Sequence, residues 1–252
     1  MELQLIRHAT LRLIFNQQTL LIDPMLSPTA AMDPIANSAN DRRNPLVPLP
    51  VSSEELIRAD AVIITHTHRD HLDPEAIAQL PKSTPIFCQP HDRVTLQSHG
   101  FSSVIVVEQT RTWNGVTLTR TGGQHGRGEI GEKMGPVSGF VLSAVKEPSL
   151  YVAGDTIYCP EVEQALRQYV PDVTVLNAGA ARFKVGDPIT MTAADVVSVC
   201  RYRPQTQVVA VHMEAINHCL LTRSQLQTFV SEQGYSNQVW IPEDGERMYL
   251  AT

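Results

Sequence analysis

A layered α/β domain is the fold class this sequence predicts. Three observations carry that expectation: a strand-rich start, an alternation of helical and strand patterns after residue 52, and strands that are apolar throughout. Strands of that last kind must be covered on both faces, so helices have to flank the sheets. The 252 residues are long enough to bury a substantial core and are read as one domain, 1–252.

The elements follow in order. Leu3 to Ile6, Leu11 to Phe15 and Thr19 to Ile22 are short apolar runs at the spacing of an antiparallel meander. From Pro24 to Pro50 the chain holds six prolines and three asparagines without periodicity, which predicts a long loop and a candidate pocket wall. Ser52 or Ser53 caps a helix with Glu54 and Glu55 in its first turn, and Ala61 to Ile64 is a wholly apolar strand. Asp73-Pro74 is an N-cap followed by proline, opening a helix through about Leu80. Strands at Ile86 to Cys88 and Val104 to Val107 bracket a helix from about Asp92 to His99, closed by Gly100. Val116 to Thr121, Gly139 to Val145 and Leu150 to Ala153 are strands, with a glycine-rich loop between the first two. Glu161 to Tyr169, Thr192 to Arg201 and Ser224 to Glu232 are helices, alternating with strands Val173 to Leu176 and Val208 to Val211; Met248 to Ala251 is a final strand.

Composition narrows the function. With 42% hydrophobic and 18% charged residues the chain is that of a water-soluble globular protein. Its 20 Lys and Arg against 26 Asp and Glu give a net charge of -6, and the densest basic run is Arg42-Arg43, so no nucleic-acid partner is expected. No apolar run approaches the roughly 18 residues of a membrane span. Met1 to His8 lacks the pattern of a secretory signal, which makes the cytoplasm the expected location. Cys88, Cys159, Cys200 and Cys219 form no CxxC pair and read as reduced, packed thiols.

The chemistry concentrates in Thr65-His66-Thr67-His68-Arg69-Asp70-His71-Leu72-Asp73, which places three imidazoles and a carboxylate within six positions directly after a strand. Imidazole nitrogen and carboxylate oxygen are the usual ligands of catalytic zinc and related divalent metals. One turn cannot enclose a metal, and the chain offers further donors in similar places. His125 lies in the glycine-rich loop, Asp155 follows the strand ending at Ala153, and His212 follows the strand ending at Val211. Four segments thus carry a potential ligand just beyond a strand, where an open α/β sheet collects its functional loops.

These residues carry a resemblance to the metallo-β-lactamase-fold hydrolases. His66, His68, Asp70 and His71 match that family's His-x-His-x-Asp-His signature, and its later His, Asp and His ligands have counterparts in His125, Asp155 and His212. Ile6-Arg7-His8-Ala9-Thr10 and Leu21-Ile22-Asp23-Pro24 resemble the family's N-terminal strands. Within it the chain looks most like the branch that includes ascorbate-6-phosphate lactonase. The resemblance implies a four-layer αββα sandwich with a dinuclear site at one sheet edge. His66, His68 and His125 would hold the first metal, Asp70, His71 and His212 the second, and Asp155 would bridge them. Zinc is the first expectation for the two divalent ions, with manganese or iron admitted by the carboxylates.

Two such ions about 3.5 to 4 Å apart share a water, depress its pKa and polarise the bond it attacks. The expected activity is therefore hydrolysis of a small ester-like substrate, such as a lactone, or of a phosphoester, by a metal-bridging hydroxide. Asp70 would also orient that hydroxide, and His218 is the expected pocket acid or oxyanion contact. His8 and Asp23 would support the ligands, Asn177 lies on the same side, and Arg127, Arg182 and Lys184 are candidate contacts for an anionic substrate. The competing readings are a phosphodiesterase or nuclease of the same fold and a non-catalytic metal-binding sensor.

Overall fold

The computed structural model describes residues 1–250. Its opening runs form β1 (Glu2–Arg7), β2 (Thr10–Phe15) and β3 (Gln18–Ile22), an antiparallel meander. Asn16 and Gln17 turn β2 into β3 with φ of 49° and 62°, the left-handed pair that suits a tight hairpin and that asparagine tolerates well. The chain then runs through the 24–50 segment and α1 (Ser53–Leu56) into β4 (Ala61–Ile64), followed by α2 (Pro74–Gln79), β5 (Ile86–Cys88), α3 (Arg93–Ser98) and β6 (Val104–Val106). Strands β3 to β6 pair in parallel, because each helix returns the chain to the same end of the sheet.

A second sheet takes β7 (Thr110–Trp113), β8 (Val116–Thr121), β9 (Gly139–Ser143), β10 (Leu150–Val152), β11 (Val173–Asn177), β12 (Gln207–Val211) and β13 (Val239–Trp240). Its helices are α4 (Gly128–Met134), α5 (Pro160–Tyr169), α6 (Ala193–Tyr202) and α7 (Arg223–Glu232). A last strand, β14 (Arg247–Tyr249), returns to the first sheet and pairs antiparallel with β1. The orders are β14-β1-β2-β3-β4-β5-β6 and β13-β12-β11-β10-β9-β8-β7, seven strands each.

Side-chain alternation explains the layering. Ala61 and Ile63 of β4 face the other sheet and join Leu3, Leu13, Phe15, Phe140, Leu142, Val175 and Val209 in the core between the sheets. Val62 and Ile64 of the same strand face outward and are covered by Leu56, Ala76 and Leu96 from α1, α2 and α3 and by Leu80 at the end of α2. Leu166, Val196, Val199, Leu226 and Val230 from α5, α6 and α7 cover the second sheet on its outer side. Burying each such side chain contributes about 1.5 to 3 kcal/mol, so both sheet faces are energetically committed. The result is the expected αββα sandwich.

Differences from the sequence reading are local. The glycine-rich stretch contains α4, which has no buried residue and so no apolar stripe to announce it. Gly131 is required there, since a Cβ would stand 2.7 Å from the Gly126 carbonyl oxygen. Strand β7 is polar and exposed up to the half-buried Trp113 at its end, and β13 has two residues, so neither carries a pattern. The final strand ends at Tyr249; Ala251, included in the expected strand, lies outside the described residues. Among the described residues no helix is long and apolar enough to cross a membrane.

The 24–50 segment is irregular, as expected, yet fixed. Met25 and Met32 pack with Ala215 and Ile216, which follow β12. Arg7, fully buried, donates from Nη1 to the Val47 carbonyl at 3.0 Å and from Nη2 to the carbonyls of Met25 and Ser27 at 3.0 and 2.5 Å. Burial lowers its pKa to about 10, still high enough to keep the guanidinium charged at neutral pH. One cation therefore closes both ends of the long segment onto β1.

Candidate metal centre

The parallel strands β3, β4, β10, β11 and β12 deliver Asp23, the 65–73 turn, Asp155, Asn177 and His212 to one edge of the sandwich. Asp23, in the left-handed region with φ 46°, organises the turn. It accepts from the Thr65 backbone N–H at 2.8 Å and from the Thr65 hydroxyl at 2.6 Å, and its Oδ2 lies 2.8 Å from His71 Nδ1. Anchoring Nδ1 leaves His71 Nε2 as the nitrogen aimed at the cluster. Asp73 fixes the end of the turn, accepting from Ala76 N–H as the cap of α2 and from Ser27 N–H at 2.6 Å.

The other predicted residues arrive with their own supports. His125 donates from Nδ1 to the Ile189 carbonyl at 2.8 Å. Asn177 Nδ2 donates to Asp155 Oδ1 at 2.7 Å. His212, at φ 74°, follows β12, and its backbone N–H donates to the His8 carbonyl at 2.9 Å. His8 Nε2 lies 3.1 Å from Asp70 Oδ2, and its ring stacks on His212 with centroids 3.6 Å apart. Asp23 and Asn177 thus each touch one member of the cluster, His71 and Asp155, and His8 touches two, Asp70 and His212.

The structure brings His66, His68, Asp70, His71, His125, Asp155 and His212 together. His66, His68 and His125 form one group whose donor atoms lie within 4.8 Å of one another; His8, Asp70, His71 and His212 form another, and His66, His71 and Asp155 a third. Asp155 spans the groups: Oδ2 is 3.3 Å from His71 Nε2 and 3.5 Å from His125 Nε2, and Oδ1 is 3.2 Å from His212 Nε2. All seven are buried except His68, which is partly open.

Electrostatics match a cation-binding cluster. Burial alone would push Asp70 and Asp155 up, but His71 and the His8 hydrogen bond hold Asp70 well below the usual carboxylate range, and His212 and His71 do the same for Asp155. Burial holds His66 well below the usual imidazole range. For His71 burial acts downward, yet Asp155 and Asp23 raise it well above. His71 Nε2 and His212 Nε2 are buried without a hydrogen-bond partner, although each is near Asp155. Orphaned imidazole nitrogens facing ionised carboxylates are costly unless a cation receives them. The donor set, imidazoles with two carboxylates, suits a divalent transition metal.

A cavity of about 200 Å³ opens on the cluster, lined by His68, Asp70, His125, Asp155 and His218, with Arg69 and the apolar Ile35, Met134, Phe183 and Ile189. His218 is in the wall, and burial lowers its pKa to about 4, so the ring is neutral at pH 7 and suits hydrogen bonding better than proton donation. The expected anion contacts are dispersed. Arg127 borders a separate depression with Asp187 and Asp195, Lys184 borders an outer groove, and Arg182 is exposed.

Sequence reasoning missed Asn217. Its side chain donates from Nδ2 to the carbonyls of Ile35 and Asn40 and to the Ser38 hydroxyl, and accepts the Ile35 N–H at 2.9 Å. It joins the long segment to the loop that bears His218. A lone asparagine in a loop offers no pattern by which this role could have been found.

Comparison with known proteins agrees with the geometry. Residues 18–213 match the beta-lactamase superfamily domain. The chain is 38% identical over 251 residues to the UPF0173 protein YddR of Bacillus subtilis, covering 98% of each chain. Among solved structures, it is similar to an isothiocyanate hydrolase from Delia radicum gut bacteria, at 39% identity, full coverage of both chains and a TM-score of 0.96. A possible metal-dependent hydrolase from Veillonella parvula follows at 34% identity, 99% coverage of both chains and a TM-score of 0.95. The protein belongs to the beta-lactamase superfamily, in its UPF0173 family of metal-dependent hydrolases.

Proposed function

We propose that the protein is a dinuclear hydrolase of small, uncharged carbon electrophiles, with organic isothiocyanates as the leading substrate class. The observation that carries this reading is the cavity: a cluster of metal-ligand side chains opens on walls made of Ile35, Met134, Phe183 and Ile189, with Arg69 as the one lysine or arginine among the lining residues. A phosphoester, which carries charge, favours several cations around it. An uncharged electrophile with an apolar body fits these walls better. The isothiocyanate hydrolase from gut bacteria, alike over the whole chain, supplies the particular electrophile. A lactone carbonyl, the substrate of the branch the sequence resembles, presents a similar carbon and is the comparison substrate.

In this reading His66, His68 and His125 hold one divalent cation, Asp70, His71 and His212 hold the second, and Asp155 reaches both groups. Zinc suits the three-imidazole group, and manganese or iron the group with carboxylates. Bound there, the cations supply an acidified water and stabilise charge that develops on the substrate. The chain's own residues do the rest. Asp70, kept ionised and held by His8, orients the attacking water. His218, neutral in the wall, offers an N–H to the developing negative charge. The apolar walls orient the substrate and exclude bulk water.

The reaction balances as R–N=C=S + H2O → R–NH2 + O=C=S: the water oxygen bonds to carbon, the C–N bond breaks, and both water protons end on nitrogen. The test is elemental analysis of purified protein together with amine release from isothiocyanates, beside hydrolysis of a lactone and a phosphodiester. The expected result is about two divalent ions per chain and turnover of the isothiocyanates, both lost in Asp155→Ala. A fully folded chain that takes up no metal under replete conditions, or that turns over the phosphodiester alone, would overturn the reading.

A further inference from the structure

We propose that a groove outside the metal cluster is the subsite for the non-reacting substituent of the substrate, and that this substituent is an apolar tail without positive charge. The proposal rests on the reading of the inner cavity as the reaction site. The groove is a cavity of about 580 Å³ lined by Ile130, Lys133, Met134, Phe183, Lys184 and Val185, with Asn37 at its side. Met134 and Phe183 line the inner cavity as well, so the two spaces meet across that pair.

Size favours such an exit. Pockets for drug-sized ligands run to about 300 to 1,000 Å³, whereas the inner cavity has about 200 Å³. It holds the reacting group and a few atoms, and the groove beyond Met134 and Phe183 offers room for a larger substituent. The chemistry of the groove is that of an apolar tail. Ile130, Met134, Phe183 and Val185 make up its apolar lining, and Val185 is 88% exposed. A single exposed valine is ordinary, but one that joins three other apolar side chains around a concave space marks a binding surface.

The wall is fixed relative to the reacting centre. Residues 180–191 form an excursion closed by Ala180 N–H to the Met191 carbonyl at 3.0 Å and Ile189 N–H to the Ala181 carbonyl at 2.7 Å. Its tip is tied to the 24–50 segment by Lys184 N–H to the Asn37 carbonyl at 2.6 Å. Its base holds His125 through the Ile189 carbonyl. A tail seated on Phe183 and Val185 is therefore registered to the cluster through one short segment. Among the described residues, Lys133 and Lys184 are the only charged groups lining the groove, and both are cationic. They repel a cationic tail and accept a neutral or anionic one.

The experiment uses metal-loaded protein and a series of isothiocyanates with methyl, butyl, phenethyl and trimethylammonio-butyl tails. The expected kcat/KM rises about tenfold or more from methyl to phenethyl, as burial of added apolar surface requires. It falls about threefold or more when the butyl tail ends in the quaternary ammonium. Val185→Asp lowers the phenethyl-to-methyl ratio about fivefold, and Lys184→Glu reverses the discrimination against the ammonium tail. Both residues are exposed, so the unfolding temperature checks that the fold is kept. A second arm follows binding of anilinonaphthalene sulfonate, an unreactive apolar anion, by fluorescence; Val185→Asp and Lys184→Glu both weaken it. Turnover of isothiocyanates with flat ratios, and probe binding indifferent to both substitutions, overturns the subsite while leaving the reaction intact. Probe binding that responds to both substitutions, in a protein that turns over no isothiocyanate, overturns the substrate reading while the subsite stands.

Discussion

Asn44 and Asn217 hold each other: Asn44 Nδ2 donates to Asn217 Oδ1 at 2.9 Å, and the Asn217 backbone N–H donates to Asn44 Oδ1 at 2.9 Å. Asn217 Nδ2 meanwhile faces the carbonyl oxygens of Ile35 and Asn40. The pair joins the 24–50 segment to the loop that carries His218, and so connects Ile35 and His218, two lining residues of the inner cavity.

Asn217→Asp keeps the shape and turns the Nδ2 donor into an acceptor pointed at two carbonyl oxygens. Each buried polar group left unpaired costs about 1 to 3 kcal/mol, so the substitution should destabilise the protein by about 3 kcal/mol or more and lower kcat/KM. Denaturant unfolding measures the first and turnover the second. Stability within about 0.5 kcal/mol of wild type would show that the hydrogen bonds carry little of the segment's fixation.

Asp23→Asn tests the support of His71. The carboxylate receives Thr65 N–H, the Thr65 hydroxyl and the His71 ring together, and an amide has one acceptor oxygen where the carboxylate has two. Loss of a hydrogen bond that orients a metal-binding imidazole typically weakens metal affinity about 10 to 100-fold. Competition with a chromogenic chelator should show bound metal released at that lower affinity, with the fold retained.

What was legible in the sequence follows from how residues announce themselves. His66, His68, Asp70 and His71 stood out because four metal-binding side chains crowd one turn, and the strands beneath them because Ala61 to Ile64 is apolar at every position. His125, Asp155 and His212 were found by their shared place after strands. Arg7, Asn44 and Asn217 were not, because their partners are mostly backbone carbonyls or residues distant along the chain. Helix α4 stayed hidden because its glycines lower helix propensity and it buries no residue. The outer groove joins α4 to the 180–191 excursion, so no local pattern could have shown it.

Acid sensitivity should depend on His218 in the metal-stripped protein. Burial lowers the folded pKa to about 4, against the ordinary value of 6.5 in the unfolded chain. Between those values the unfolded state binds a proton that the folded state does not, so stability falls as pH drops from about 6.5 towards 4, by up to about 1.4 kcal/mol per pH unit for that proton. His8, lowered to about 3 by burial and His212, acts with the same sign. His218→Gln should therefore flatten the decline by up to one proton without abolishing it. Unfolding free energies measured across that window would show an unchanged slope if His218 were protonated in the folded protein.

Gly179 is a packing constraint on the metal centre. A Cβ at this position would stand 2.2 Å from the His212 carbonyl oxygen and 3.0 Å from Cys219 Cβ. Backbone cannot yield as a flexible side chain does, so Gly179→Ala must move the His212 segment. Overpacking of this kind costs about 1 to 3 kcal/mol, and here the strain falls on a segment that also carries a cluster imidazole and the Cys219 thiol, 3.5 Å from His212 Nδ1. The variant should unfold at lower temperature and, in its folded form, bind less metal. Cys219→Ala in the same background would remove only the Sγ contact at 3.1 Å and leave the Cβ and carbonyl contacts, so only partial recovery is expected. Full recovery of metal content in the double variant would assign the constraint to the thiol side chain instead.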